Sequence, residues 1–167
     1  DKYNFIDAVG RAAIGSLIEA ADGNLYGVTA LGGVLDQGTL FQYNYVNDVF
    51  TKQIDFSTVS LGERPGIGAS LIQATDGMIY GTTMYGGSNS YGILYKFNPD
   101  SALLYDKTNF NFIPDGSYPL APLVQTSGGT LFGTTWAGGT NANGGTLFQY
   151  NHTSNTSVKK IDFLNTQ

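Results

Sequence analysis

The stretch Ser70–Gly87, SLIQATDGMIYGTTMYGG, decides the fold, because nearly the same phrase occurs three times in the chain. The other copies are Ser16–Gly33, SLIEAADGNLYGVTALGG, and Pro122–Gly139, PLVQTSGGTLFGTTWAGG. Each copy is followed, after a short polar loop, by a second phrase, which reads GTLFQYN, GILYKFN and GTLFQYN in turn. A self-similar period is the signature of a repeat architecture, so we predict a fold built from three copies of one unit.

The spacing and the hydrophobic pattern of the copies indicate short strands. Aligned on Leu17, Leu71 and Leu123, the copies lie 54 and 52 residues apart. Within a copy, side chains alternate with a period of two residues, as in Met78–Thr83, which is typical of a β-strand. The one segment with an apolar helical period, Val9–Ala21, is interpreted as a loop followed by a strand, because its counterparts contain proline. We therefore expect almost no helix.

Each copy is predicted to form four short antiparallel strands. In the second copy these strands are Leu71–Ala74, Met78–Thr83, Gly92–Phe97 and Leu104–Phe110. Four short strands in a period of 52 to 54 residues are typical of a β-propeller blade, which we favour over a β-solenoid coil or a sandwich. The predicted fold class is all-β, with three four-stranded antiparallel β-propeller-type blades.

The chain begins with an irregularity that extends the repeat pattern. Asp1–Phe5 (DKYNF) is similar to Lys52–Phe56 (KQIDF) and Lys159–Phe163 (KKIDF), the segments that close the first and third copies. We therefore expect one extra closing strand at the N-terminus. The predicted organisation is a single repeat domain over 1–167, with the extra strand and lead-in at 1–11 and the repeats at 12–56, 57–112 and 113–167.

The composition limits the classes of function. The chain has 8 basic and 13 acidic residues, a net charge of −5 and a pI of about 4.5. Nucleic acid is not an expected partner, because its binding needs a Lys/Arg stripe. Membrane insertion is not expected, since no apolar run approaches the roughly 20 residues that span a bilayer. The opening residues DKYNF do not form a signal peptide, and a processed start would look the same. The absence of cysteine excludes disulfides and thiol chemistry.

The phrase YGTT-x-x-GG followed by GTLF resembles the GloVer-type tandem repeats of bacterial extracellular proteins, also called choice-of-anchor repeat proteins. The resemblance covers Gly15–Tyr43, Gly68–Phe97 and Pro119–Tyr150. It implies export, surface attachment through a separate anchor and a propeller-like or kelch-like array, and it implies no known activity. The chain departs from the pattern in its longer period, in Gly128 at an aspartate position, and in having no anchor segment. The expected location is extracellular or at the cell surface.

The recurring glycines are interpreted as turn and packing residues. Gly27, Gly81 and Gly133 interrupt the second strand of each copy, where a side chain would collide with a neighbour near a propeller axis. The glycines assigned to turns and loops are Gly23, Gly32, Gly33, Gly77, Gly86, Gly87, Gly138 and Gly139.

Two recurring polar features have a structural and a functional interpretation. Asp22 and Asp76 could supply calcium ligands, but one carboxylate per turn is far fewer than the six to eight oxygens that calcium takes, so we favour a role in the turn. The pairs Thr82-Thr83 and Thr134-Thr135 could line a central channel, although threonine is also common in strands, which we favour. No metal or cofactor is predicted.

No catalytic residue is predicted. His152 is the only histidine, and it is interpreted as a solvated loop residue because no partner for a general base is visible. Asp55 and Asp162 recur in the closing strands but become Asn109 in the second copy, which indicates a polar outer face and not a catalytic pair of carboxylates.

Two further features are candidates for modification and for ligand contact. Asn151 and Asn155 lie in N-x-S/T sequons and are possible glycosylation sites. Leu31, Tyr85 and Trp136 lie just before or after the end of the second strand in the three copies. Aromatic residues at a loop rim stack on sugar rings, and they also pack one blade on the next.

Three blades are too few to close a propeller, which has four to eight. Repeat arrays bury exposed end faces with caps or with further copies. We therefore expect a non-catalytic extracellular structural or adhesive module that self-associates through blade faces into a ring or filament. The expected partners are the chain itself or further repeats of a longer chain. The alternative is a glycan-binding, lectin-like propeller completed by oligomerisation, and a weaker alternative is an enzyme acting on polysaccharide.

Overall fold

The computed structural model describes residues 7–57, 60–68, 70–141 and 143–164, and these residues form three antiparallel β-sheets in chain order. The first sheet consists of β1 (Ile18–Glu19), β2 (Leu25–Thr29), β3 (Thr39–Asn44) and β4 (Val49–Asp55). The second consists of β5 (Glu63–Pro65), β6 (Ile72–Gln73), β7 (Ile79–Tyr85), β8 (Ile93–Asn98) and β9 (Leu103–Asn109). The third consists of β10 (Val124–Gln125), β11 (Leu131–Thr134), β12 (Thr146–Asn151) and β13 (Thr156–Asp162).

The predicted all-β class is confirmed, with one antiparallel sheet for each copy of the repeat and no helix in the described residues. The segment Val9–Ala21 contains a loop and β1, as expected. The second sheet differs from the prediction because β5, at a position expected to be a loop, pairs with β7. The extra closing strand expected at Asp1–Phe5 lies outside the described residues, and the repeat boundaries stay a prediction.

The three sheets share one register. In the first and third sheets the strands follow chain order, and in the second β6 to β9 do so while β5 also pairs with β7. A β-bulge occurs at the same place between the last two strands of each sheet. The bulges lie at Leu40/Phe41, Leu94/Tyr95 and Leu147/Phe148. Because side chains in a strand alternate between faces, this common register places equivalent residues on equivalent faces of the three sheets.

The central glycine of each second strand lies opposite an aromatic residue of the next strand. Gly81 pairs with Tyr95, and a Cβ atom at Gly81 would collide with the Tyr95 ring. At Gly133 a Cβ atom would lie 2.5 Å from the Phe148 ring and 2.9 Å from Leu123. The crowding expected at these glycines therefore arises within each sheet, from the ring of the third strand and the leucine before the first, and not from a central axis.

The hydrophobic core is divided between the two junctions, by which we mean the contacts between consecutive sheets. The first junction contains Tyr26, Val28, Leu40 and Phe56 of the first sheet with Leu71, Ile79, Ile93, Tyr95 and Phe97 of the second. The second junction contains Ala74, Tyr80, Leu94 and Phe110 of the second sheet with Leu123, Leu131, Phe148 and Tyr150 of the third. The second sheet is therefore covered on both faces, and its strand β7 is buried continuously from Ile79 to Thr83.

Candidate functional site

The double glycines form the loops that end the second strand of each sheet. All six have positive φ, between 76° and 95°, a conformation that strongly favours glycine. A Cβ atom at Gly87 would lie 2.5 Å from Oδ1 of Asn109, and one at Gly139 would lie 2.5 Å from Oδ1 of Asp162. The second glycine therefore also lets the loop approach the closing strand.

The acidic or amide residue of each closing strand holds this loop. It accepts a hydrogen bond from the backbone N–H that follows the glycines: Val34 to Asp55 (2.9 Å), Ser88 to Asn109 (2.7 Å) and Thr140 to Asp162 (3.0 Å). Lys159 lies 2.8 Å from Asp162, and this charged hydrogen bond lowers the pKa of the Asp162 carboxyl despite some desolvation. The three residues are thus loop clamps, a more specific role than the polar outer face predicted for them.

Asp76 and Asp22 are acceptors at hairpin turns, as predicted, and each also binds a buried tyrosine. Asp76 accepts from the Met78 N–H (3.2 Å) and the Tyr80 hydroxyl (2.9 Å). Burial opposes ionisation of Asp76, but these hydrogen bonds and Lys96 outweigh it and lower the pKa. The pKa of Asp22 is lowered in the same way, against its partial burial, by hydrogen bonds from Asn24, Tyr26 and Gln42. Burial, together with the neighbouring carboxylate, raises the pKa of Tyr80.

The second residue of each threonine pair, with Thr29 as its counterpart in the first copy, is buried; Thr29 and Thr83 lie in strands and Thr135 directly follows β11. Thr135 Oγ1 lies 3.0 Å from Thr146 Oγ1, and Thr29 Oγ1 lies 2.9 Å from Thr39 Oγ1. Thr83 instead accepts a hydrogen bond from the Ile93 N–H and donates one to the Tyr85 carbonyl. These hydroxyls are satisfied inside the sheets, which confirms the strand interpretation over that of a channel lining.

His152 is not solvated, so the prediction for it is wrong. Its side chain is largely buried at the second junction, where Nδ1 lies 3.9 Å from Oδ2 of Asp76. Asp76 is already bonded to Tyr80 and lies 3.4 Å from Lys96. The histidine therefore packs one sheet against the turn of the sheet before it, which no pattern within the repeat could indicate because the other copies carry Tyr45 and Pro99 there.

The two sequon asparagines have roles in the hairpin between β12 and β13. Asn151 Oδ1 accepts from the backbone N–H groups of Thr153 (2.9 Å) and Ser154 (3.0 Å). Asn155 has a φ of 55° and accepts from the Tyr150 hydroxyl at 2.8 Å. Both side-chain oxygens thus stabilise the turn, and glycosylation of either residue stays a prediction.

Leu31, Tyr85 and Trp136 lie beside the segment that leads into each sheet, with Trp136 one residue before Ala137, the equivalent of Leu31 and Tyr85. Tyr118, in the lead-in to the third sheet, contacts both aromatic residues, with ring centroids 5.4 Å from Tyr85 and 6.2 Å from Trp136. The Arg64 guanidinium lies 5.6 Å from the Tyr85 ring. Tyr118, which the sequence patterns do not single out, therefore joins Tyr85 and Trp136 into one aromatic row. Leu31 lies in the first repeat and is not part of this row.

Trp136 is the open end of this row. Its side chain is 68% exposed, whereas Tyr85 is partly buried. Two shallow cavities of about 390 and 360 Å³ flank it. The first is lined by Leu120, Ala121, Thr134, Thr135, Gly144 and Phe163, and the second by Ala137, Asn143, Gly144 and Leu164.

A phenylalanine at the end of each closing strand packs into the following sheet. Phe56 contacts Tyr95 with ring centroids 5.2 Å apart, and Phe110 contacts Phe148 at 4.9 Å. The sequence contains a signal for this contact, since every closing phrase ends in phenylalanine. The pattern within one copy does not indicate that this residue packs between sheets. Phe163 is the third member of this series and is exposed.

Equivalent residues are buried at the junctions and exposed at the two ends of the array. Leu71 and Leu123 are 5% and 6% exposed, whereas Leu17 is 53% exposed. Leu17 lines an apolar groove of about 380 Å³ on the first sheet, which we call the N-terminal face, together with Ala13, Gly15, Gly27, Val28, Phe41, Tyr43 and Phe50. At the other end Val124 is 61% exposed, while its equivalent Ile72 packs into the second junction.

The described residues bring no three His, Asp, Glu or Cys side chains into an arrangement that could hold a metal ion. Within the same part of the chain, no helix is long and apolar enough to cross a bilayer.

The three equivalent sheets and their shared loop clamps define an all-β tandem-repeat protein. The chain belongs to the Gloeobacter/Verrucomicrobia repeat family, which it matches over residues 2–167. A solved structure with a similar fold is the extracellular domain of a protein described as a hybrid two-component system from B. thetaiotaomicron, with a TM-score of 0.59 and 16% identity. The similarity covers 89% of this chain but only 16% of that one. No curated protein matches the chain.

Proposed function

We propose that the chain is a non-catalytic, extracellular structural repeat module that binds further copies of its own repeat through its end faces. The observation that carries this proposal is the contrast between equivalent leucines, with Leu17 exposed and Leu71 and Leu123 buried. A face that is buried by the next repeat within the chain is left open at the end of the array. Repeat proteins cover such faces with caps or with further copies.

The finer fold assignment belongs to the same proposal. We assign the three sheets as propeller-type blades, because each contains four antiparallel strands that pair in chain order, with β5 added in the second, and packs face to face on the next. A closed propeller needs at least four blades, so three require additional repeats to form a ring. Further repeats of a longer chain, a ring of two chains or an open filament would each supply them.

Family membership and structural similarity support an extracellular location. The family match covers nearly the whole chain, and the similar solved domain is described as extracellular. The absence of a catalytic role is supported by the state of the acidic residues. Asp55, Asp76 and Asp162 are occupied by loop or turn hydrogen bonds, so none is presented to a substrate.

A second candidate function is glycan binding at Trp136. It is favoured by the exposed indole, the two flanking cavities and the adjoining Tyr118 ring, since aromatic faces stack on sugar rings. The test is a glycan array followed by titration of any hit. Saturable binding by the wild type that is lost in Trp136→Ala, with unchanged far-UV circular dichroism, would support it, and an array without hits would exclude it for the glycans tested.

The test of the main proposal is a measurement of native mass as a function of concentration. Sedimentation velocity of the intact chain is expected to show dimers or larger species that grow with concentration. Leu17→Glu places a charge on the N-terminal face and should reduce this association. Val46→Glu is the matched control, because Val46 is also exposed but lies in the hairpin between β3 and β4. A folded wild type that stays monomeric throughout would contradict the proposal.

A further inference from the structure

We propose that association is head to tail, with the outer face of the third sheet of one copy binding the N-terminal face of the first sheet of a second copy. This inference rests on the proposed function and adds the polarity and the contacts of the interface. We call the outer face of the third sheet the C-terminal face. It carries Val124, Phe132, Thr134 and Leu147 and is bordered by Trp136 and Gly144.

The burial of the third sheet shows that only one of its faces is covered. Along β11 and β12, buried and partly exposed residues alternate strictly, with Leu131 and Phe148 buried and Phe132 and Leu147 partly exposed. The equivalent of Leu147 in the second sheet is Leu94, which is fully buried. The C-terminal face therefore has the same residue pattern as a face that is occupied elsewhere in the molecule.

The two junctions indicate what occupies such a face. At the second junction the Tyr118 N–H donates to the Tyr91 carbonyl (3.0 Å), the Thr82 hydroxyl donates to the Pro119 carbonyl (3.0 Å), and Pro119 packs against Gly92. The first junction repeats this arrangement, with the Arg64 N–H donating to the Gln37 carbonyl (2.9 Å) and Pro65 against Gly38.

At the C-terminal face the corresponding positions are the Gly144 carbonyl as acceptor, the Thr134 hydroxyl as donor and Gly145 as the glycine that the proline position packs against. Within the described part of the chain the Gly144 carbonyl and the Thr134 hydroxyl have no hydrogen-bond partner, so a lead-in segment of another repeat would complete them.

The first repeat supplies a lead-in segment whose shape matches. Ala12, Arg64 and Tyr118 occupy the same place, and all three have an unusual positive φ of 56°, 54° and 58°. At the second junction a tyrosine from the lead-in packs on Tyr85. Between two copies, the equivalents of these residues are Ala12 and Ala137, so this contact would be between two small side chains.

The two faces of a repeat differ, and this difference excludes a pairing of like faces. At each junction one sheet supplies a projecting phenylalanine, Phe56 or Phe110, and the other supplies a glycine-lined recess beneath Tyr95 or Phe148. The projecting residue and the recess are complementary to each other and not to themselves. The interface is therefore heterologous and generates a ring or a filament.

Glu19 provides an independent check of the polarity. Gln73 and Gln125 each accept a hydrogen bond from the turn of the preceding sheet, from the N–H of Ala21 (2.8 Å) and of Thr75 (3.1 Å). Each glutamine also donates to its own turn carbonyl, at 2.8 and 2.9 Å. The first repeat has Glu19 at this position, and its carboxylate can accept the same bond from the turn of a preceding copy. Glu19→Ala removes this acceptor and should therefore weaken head-to-tail association.

The decisive experiment mixes two variants of the intact chain. Leu17→Glu blocks the N-terminal face and Val124→Glu blocks the C-terminal face, and both sites are exposed, so folding should be retained. Each variant alone should associate at least about tenfold more weakly than the wild type, a loss that burying one unpaired charge in an interface can produce. An equimolar mixture should recover a 1:1 complex through the two intact faces, as measured by sedimentation and native mass spectrometry. Val46→Glu should associate like the wild type.

The outcomes separate the two proposals. A wild type that never associates contradicts both the proposed function and the polarity. A wild type that associates, together with a single variant that still associates fully on its own, indicates pairing of like faces and overturns only the head-to-tail arrangement. Two monomeric variants that fail to combine when mixed also overturn it, as does a Glu19→Ala variant that associates as strongly as the wild type.

Discussion

The second and third repeats have the same backbone register but different side chains at their first hairpin turn. In the second repeat the Tyr80 hydroxyl donates to Asp76 at 2.9 Å. In the third repeat the equivalent residues are Phe132 and Gly128, so both the hydroxyl and its acceptor are missing. The two residues change together because a buried hydroxyl without a partner costs free energy, whereas removing both groups can be nearly neutral.

The same rule holds at the second hairpin, where the third repeat has the hydroxyl and its acceptor and the second repeat lacks both. Tyr150 donates to Asn155 at 2.8 Å in the third repeat, while the second repeat has Phe97 and Ala102. The backbone at Asn155 and Ala102 has nearly the same positive φ, 55° and 53°. The turn therefore forms without the acceptor side chain, and the acceptor is present because the tyrosine needs it.

The largest effect is expected at the glycine that the second and third repeats share. Gly133→Ala should reduce the free energy of unfolding by about 2–3 kcal/mol, because the methyl group would lie 2.5 Å from the Phe148 ring and force the core to move. Gly128→Ala, in the same repeat, is the matched control, since it has no contact closer than 4.0 Å. Urea unfolding measures both, and equal stability of the two variants would contradict the packing role.

A smaller effect is expected when the tyrosine and its acceptor are separated. Asp76→Ala should cost about 1–3 kcal/mol, because it leaves the Tyr80 hydroxyl buried without its acceptor. Adding Tyr80→Phe should recover a large part of this loss, since the double variant reproduces the pairing logic of the third repeat. Additive effects in this double-mutant cycle would refute the coupling.

The repeat architecture could be predicted from the sequence because it depends on local patterns that occur three times. The period, the alternation of Met78–Thr83 and the glycines of the turns specify strands and hairpins without reference to distant contacts. Strand ends were displaced by a residue or two, and β5 was missed because its pairing depends on where a loop passes the neighbouring strand.

The candidate site was harder to predict from the sequence, because it depends on contacts between repeats. The partner of His152 lies in the preceding repeat, and Tyr118 joins Tyr85 to Trp136 across a junction. Neither contact follows from the pattern within one copy. The aligned phrases show that Asp76 and Tyr80 are replaced together by Gly128 and Phe132. The reason is visible only in the structure, where the tight turn brings Asp76 and Tyr80, four residues apart, into hydrogen-bond contact.

A smaller difference between the same two repeats is expected in how the free energy of unfolding falls at acid pH. The pKa of Asp76 is lower in the folded chain than in the unfolded chain, so its contribution is complete above the unfolded pKa of about 4 and is lost as the pH falls through the folded value. The variant with Asp76→Gly and Tyr80→Phe lacks this group and should lose less stability between about pH 5 and pH 3 than the wild type. Urea unfolding across this range measures the difference, and parallel pH profiles would contradict it.

The smallest effect is expected at the loop clamps, where the second repeat again differs from the third. The third repeat pairs Lys159 with Asp162, while the second places Asp106 beside Asn109, whose amide donates to Asp106 at 2.7 Å. Asn109→Asp replaces this hydrogen bond with two facing carboxylates and should cost about 0.5 kcal/mol at low salt.

Adding Asp106→Lys to Asn109→Asp recreates the pair of the third repeat and should restore stability. High salt should reduce the penalty of Asn109→Asp alone, because the groups are accessible to counterions. Thermal unfolding at two salt concentrations checks both points. A penalty that survives in the double variant would contradict the charge explanation, because the Ser88 N–H keeps its acceptor when Asn109 is replaced by aspartate.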